Sequence, residues 1–201
     1  MTSMLHWFRM AATAAGLSAA IACAGRTPSP SAEPATAAPA PTPVPARSTP
    51  APSPSSPDWL AVDSASQTAT ITLEVTPGQN TPSALISGYR NGEARIVVPV
   101  GWTIKWNWRN ADTASPHSLV VMVQREKVPL EGGRPAFSNA MTRMVIEGLP
   151  PAGTDQTTFV AEEGGWYWLM CGVPGHALAG EWIELRVDPE ATTARVEIKK
   201  A

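Results

Sequence analysis

From residue 58 onward the apolar residues recur with a period of two, in short runs broken by turn residues, and this restricts the fold to β structure. In ATITLEVT (69–76), Ile71, Leu73 and Val75 fall on one face, and in TIKWNW (103–108) so do Ile104, Trp106 and Trp108. EWIELRV (181–187) alternates again, with Trp182, Ile183 and Leu185 apolar, and HSLVVMV (117–123) reads as a buried strand. TTFVA (157–161) leads through Gly164-Gly165 into the strand WYWLMC. ARIVVPV (94–100) is β-rich, but Pro99 predicts an edge or a bulge there. Asn91-Gly92, Gly132-Gly133 and the run Pro150 to Gly153 supply turns. A short helical stretch fits only around Ser138 to Glu147, and ARVEIKK in the tail 188–201 either pairs as a last strand or frays. Seven or eight strands in this length predict an antiparallel or mixed β-sandwich. Trp102, Trp106, Trp108, Trp166 and Trp168 then read as sandwich core or rim.

The N-terminal part is different in kind. Of the 21 prolines, 11 lie between Pro28 and Pro57. Residues 24–57 are mostly Pro, Ala, Ser and Thr, a composition that buries too little apolar surface to offset the entropy of ordering. The expectation is a disordered, largely polyproline II tether, with an upper reach of about 100 Å at about 3.1 Å per residue. Residues 1–22 read as an export signal, with Arg9 ahead of a short apolar run. That run ends AAIAC, which resembles a bacterial lipobox and makes Cys23 the lipidated first residue of the mature protein. An ordinary signal peptide or an uncleaved anchor fits the same residues. The folded domain is then 58–201, with 12 basic and 16 acidic residues. That balance gives no nucleic-acid footprint.

This domain contains one cysteine, Cys171, and two histidines, His117 and His176. Cys171 and His176 share a short loop constrained by Gly172, Pro174 and Gly175, while His117 lies more than fifty residues upstream, in SPHSLVVM. A free thiol in an oxidising compartment needs protection, and a bound metal provides it. Thiolate and imidazole are soft and borderline donors that suit copper, and three of them with a weak fourth is the type 1 copper pattern. Structural zinc calls for a further Cys or His, which is missing, and a thiol enzyme needs an orienting acid and an oxyanion site, neither of which is signalled.

On these residues the chain resembles the cupredoxins, and among them the sulfocyanin-like blue copper proteins. The resemblance runs from about Leu85 to Val187, through NGEARIVVPVGWTIKWNW, PHSLVV, GLPPAGTDQTTF and GGWYWLMCGVPGH. It implies a Greek-key β-sandwich or barrel holding one copper ion, with His117, Cys171 and His176 as equatorial ligands. The implied role is single-electron transfer between redox partner proteins.

The pattern breaks at the fourth ligand. The family spacing is Cys, four residues, His, four residues, Met, and here the last position is Glu181. Three readings stay open: Glu181 binds axially, Glu181 turns outward as an exposed first strand residue, or Met141 or Met144 reaches in from the 123–147 insertion. Ser118 is placed to hydrogen-bond across to the Cys171 loop, and Pro174 removes an N–H near the thiolate. His176, flanked by Pro174, Ala177, Leu178 and Ala179, is the ligand expected near solvent and beside a partner's docking patch. The expected protein is a monomeric electron carrier, not an enzyme, lipid-anchored outside the cytoplasm of a bacterium. The alternative is a carboxylate-ligated, red-copper-like site that binds or converts a small molecule. Two histidines are too few for a multicopper enzyme, and the Met- or His-rich motifs of copper delivery are missing.

Overall fold

In the computed structural model, residues 57–79 and 83–199 are described. The signal, Cys23 and almost all of the tether lie outside them.

Among the described residues, ten strands form two sheets. They are β1 Leu60–Asp63, β2 Thr68–Thr76, β3 Leu85–Ile86, β4 Ala94–Pro99, β5 Thr103–Asn110, β6 Val120–Val123, β7 Thr154–Val160, β8 Gly165–Met170, β9 Trp182–Asp188 and β10 Arg195–Ile198. The first sheet has the order β1-β2-β5-β7, with β3 also on β2, and the second runs β10-β4-β9-β8-β6. The β2–β5 and β4–β9 pairs are parallel and the rest antiparallel. The period-two runs do what their pattern dictates. Ala69, Ile71, Leu73 and Val75 of β2 enter the same buried cluster as Ile104, Trp106 and Trp108 of β5. From the other sheet, Leu169, Ile183, Leu185 and Val187 join them, so one apolar core lies between the sheets. The result is the all-β sandwich expected.

Three details differ from expectation. β1 and β3 are additional strands, of four and two residues, too short to show a period. β4 is not an edge: it pairs with β10 on one side and β9 on the other. Pro99 is tolerated because β10 pairs only with residues 94–97, so no partner among the described residues on that side requires the missing N–H. No helix forms around Ser138 to Glu147, since Asn139 and Met144 have φ of 63° and 53°, outside the right-handed helical region. The tail pairs as β10 rather than fraying.

The long segment between β6 and β7 works as a buttress. Phe137 stacks on Phe159 at 5.8 Å and tilts against Tyr167 at 4.8 Å, tying both sheets together. Val128 and Val145 pack on Val120, Trp168 and Met170, on the outer side of the second sheet. The same segment straps the β8–β9 connection, through Gly132 N–H to Gly172 O at 2.8 Å and Gly175 N–H to Leu130 O at 2.7 Å. Trp102, Trp106, Trp108 and Trp168 are buried, whereas Trp166 is exposed at the rim between the Arg95 and Arg186 guanidinium groups.

Candidate metal centre

The β8–β9 hairpin places two of the candidate residues opposite each other. Its last strand pair is Met170–Trp182, and one step further Cys171 N–H donates to Glu181 O at 3.1 Å. The intervening loop folds back on itself through His176 N–H to Val173 O and Ala179 N–H to Gly175 O, with Gly175 at φ 85°. His117 comes from just before β6, where an isolated bridge to Leu149 holds its backbone. Gly148, with φ 77°, allows that bridge, because a Cβ there would stand 2.9 Å from His117 N and 2.8 Å from a Val173 methyl.

Four side chains converge there. One ligand atom from each of His117, Cys171, His176 and Glu181 lies within 4.8 Å of every other. Cys171 Sγ is 4.0 Å from His117 Nδ1 and 3.6 Å from His176 Nδ1, and the two Nδ1 atoms are 3.2 Å apart. Glu181 Oε2 is 2.9 Å from His117 Nδ1 and 3.2 Å from His176 Nδ1. Glu181 is 1% exposed, so it does not turn outward. Met141 and Met144 are exposed at 39% and 51%, away from a buried centre.

The electrostatics are those of a site with too many acceptors. Burial pushes the Cys171 thiol pKa well up, and the Glu181 charge pushes it further. Burial also opposes ionisation of Glu181, but hydrogen bonds from His117 and His176 outweigh it and hold the carboxyl below its usual range. Burial disfavours a charged His117, yet Glu181 and then Asp112 raise its pKa above the ordinary value. The two facing Nδ1 atoms have room for one proton between them, and Glu181 Oε1 is buried with no hydrogen-bond partner among the described residues. A cation satisfies this set where protons do not. Metal–nitrogen and metal–sulfur bonds of about 2.0–2.3 Å set donors about 3–4 Å apart around one ion, and the sulfur–nitrogen, nitrogen–nitrogen and carboxylate–nitrogen separations here run from 2.9 to 4.0 Å.

The surroundings fix the donors. Ser118 Oγ accepts from Gly172 N–H at 2.9 Å and donates to Val145 O at 2.7 Å, while Ser118 N–H points at Cys171 Sγ at 3.4 Å. Val173 N–H also hydrogen-bonds the sulfur, next to Pro174, which has none to give. The His176 side chain is 27% exposed against 3% for His117. Pro174, Leu178 and Ala179 are exposed around it, but Ala177 is buried and drops out of the expected apolar rim. A cavity of about 190 Å³ is lined by His117, His176, Glu181, Asp112, Ser83 and Pro77. Sequence reasoning missed Asp112, whose Oδ2 lies 3.1 Å from His117 Nε2. The only trace of it is a polar Asn-Ala-Asp step between an alternating strand and the histidine, which reads as an ordinary turn.

The profile of the sulfocyanin (SoxE) domain family matches residues 55–198. A sulfocyanin from Sulfolobus acidocaldarius is 26% identical over 132 residues, covering 61% of this chain and 64% of that protein, so this chain spans less than two thirds of that relative's length. Among solved structures, the copper protein rusticyanin aligns with a TM-score of 0.46 and 20% identity over 65% of this chain and 88% of its own. Auracyanin from Roseiflexus castenholzii aligns with a TM-score of 0.41 and 25% identity over 59% of this chain and 97% of its own.

Proposed function

The chain belongs to the sulfocyanin family, and on that premise we propose that it is a mononuclear copper protein that carries single electrons between redox partners. The observation that carries this reading is the convergence of His117 Nδ1, Cys171 Sγ, His176 Nδ1 and Glu181 Oε2 at one end of the sandwich. Copper, when bound, supplies a one-electron couple and needs no substrate bond to break. Four donors would also suit zinc. The family and the thiolate–imidazole set favour copper, which binds such donors more tightly than zinc does.

Each residue has a definite part. Cys171 would hold the ion as a thiolate, with the Ser118 and Val173 N–H groups directed at the sulfur. His117 anchors the buried side. His176, the most exposed donor, is where electrons enter and leave, and Pro174, Leu178 and Ala179 around it form a small apolar contact suited to a transient partner. Glu181 places a carboxylate where relatives are expected to carry methionine, which favours the cupric state and lowers the potential. The glycine straps to the 124–147 segment keep the donors in place between oxidation states. Cys23 is lipidated, and residues 24–57 tether the domain above a membrane on its extracytoplasmic side.

Voltammetry of the copper-loaded protein tests the carrier role. A reversible one-electron wave with fast exchange supports it, and an irreversible response sinks it. Palmitate labelling in a bacterial host that is lost in Cys23→Ala supports the anchor, and label retained in that variant removes it.

A second reading, small-molecule binding at the same ion, is favoured by the cavity lined by His117, His176 and Glu181. Azide added to the cupric protein distinguishes the two. A new ligand-to-metal band supports an open position, and an unchanged spectrum leaves the carrier alone.

A further inference from the structure

His117 is held between two carboxylates, and the second of them is no part of the donor set. Glu181 Oε2 faces Nδ1 at 2.9 Å, and Asp112 Oδ2 faces Nε2, on the opposite side of the ring, at 3.1 Å. Asp112 is 8% exposed and its position is fixed. Its N–H donates to Asn110 Oδ1 at 2.9 Å, and its Oδ1 accepts from Ala114 N–H at 2.8 Å and Ser115 N–H at 3.4 Å. Asn110 is fully buried and donates to Ser115 O at 2.9 Å and Leu149 O at 3.0 Å, and Leu149 is the residue bridged to His117. One Asp112 oxygen is thus committed to its turn, and the other is directed at the imidazole.

A neutral imidazole has one N–H and one lone pair, and an ionised carboxylate only accepts. An acceptor fixed at Nε2 therefore draws the ring proton there and leaves the Nδ1 lone pair facing Cys171 and His176. We propose that Asp112 is a positioning residue, which holds His117 in the Nε2–H tautomer and makes it a stronger donor to the cupric than to the cuprous state. The inference rests on the copper reading above. An outer carboxylate on a metal-bound histidine fixes ring orientation and raises ligand basicity, and losing such a partner costs roughly 10–100-fold in affinity. If that loss falls on Cu(II), the potential rises by about 60–120 mV, at about 59 mV per tenfold for one electron.

The test compares copper-loaded wild type, Asp112→Asn and Asp112→Ala by spectroelectrochemical titration, Cu(II) competition and NMR of the cuprous form. Asp112→Asn retains an acceptor without the charge, so it is expected to keep a slowly exchanging His117 Nε2–H while its potential rises. Asp112→Ala is expected to lose that proton signal, to weaken Cu(II) binding roughly 10–100-fold, and to show the larger rise. If Asp112→Ala does not fold, the asparagine variant carries the test. Potentials of both variants within about 20 mV of wild type, less than a threefold change in affinity ratio, overturn the proposal, as does a wild-type ring proton on Nδ1. Such a failure leaves the wild-type thiolate-to-copper band intact. A wild type without that band refutes the copper reading itself, and this proposal with it.

Discussion

Replacing Glu181 by glutamine is the sharpest perturbation of this centre, because it removes one charge and leaves the volume. The carboxylate is 1% exposed, and its Oε2 lies 2.9 and 3.2 Å from the two histidine nitrogens. A charge held among the donors is therefore about 4 Å or less from Glu181. At that distance and an effective dielectric of about 20, two unit charges interact by about 4 kcal/mol. Oxidation adds one positive charge, so losing the carboxylate disfavours the cupric state by an amount of that order. For one electron this is close to three tenfold steps, or about 180 mV. Glutamine's own dipole offsets part of it, so a rise of about 100–180 mV is expected. Voltammetry of the copper-loaded variant reads it directly. Glu181→Met, which places there the methionine implied by the resemblance to blue copper proteins, is expected to raise the potential as well and to move the spectrum toward ordinary blue copper. A potential within about 20 mV of wild type in both variants, under about 0.5 kcal/mol, would place Glu181 outside the coordination sphere and refute the electrostatic argument.

Three further outcomes are expected. Gly148→Ala puts a Cβ at φ 77° against His117 N and Val173. It should cost about 2–5 kcal/mol in urea unfolding of the copper-free protein, and a cost under about 0.5 kcal/mol, typical of unconstrained surface sites, would contradict the crowding argument. Ser118→Ala strands Gly172 N–H and Val145 O, an expected loss of about 1–3 kcal/mol by the same assay; unchanged stability would mean that water replaces both bonds. For Glu197, burial opposes ionisation, but hydrogen bonds from Arg95 and Arg195 hold its pKa below the ordinary glutamate range. A depressed carboxylate pKa stabilises the fold above the unfolded value, about 4.3, and that contribution is lost as pH falls through the lower folded value. Glu197→Gln should therefore be slightly less stable than wild type at pH 7, by under about 1 kcal/mol at this partly exposed pair, with a narrower gap in strong acid, where the carboxylate is protonated in both states. A gap of the same size at both pH values would rule out the charge.

The sequence showed most where one face of a strand is buried. The alternations in β2, β5 and β9 are visible because each strand has an inward face of Ile, Leu, Val or Trp against polar neighbours. Cys171 and His176 stand out because their chemistry and loop spacing are local. His117 does so because it is the other histidine in the folded part. The limits are equally physical. β1 and β3 are too short to carry a period. Pro99 suggested an edge, but whether an N–H is missed depends on how far β10 extends beside it. Spacing located Glu181, yet only the hairpin register, which sets it opposite Cys171, turns its carboxylate inward. Asp112 was invisible, because a carboxylate in a polar turn becomes a histidine partner only when the turn folds over the ring. Trp166 and Trp168 read alike in sequence, but Trp168 is buried beneath the segment between β6 and β7, whereas Trp166 lies exposed against two arginines.

The central claim is that Cys171, His117 and His176 hold one copper ion with Glu181 beside them. A stoichiometric Cu(II) titration, followed by visible absorption and EPR and repeated with Cys171→Ser, tests it most directly. The expected result is an intense thiolate-to-Cu(II) band that saturates at one copper per chain and is absent from the serine variant. A wild-type spectrum without that band, or one that Cys171→Ser leaves unchanged, would contradict it.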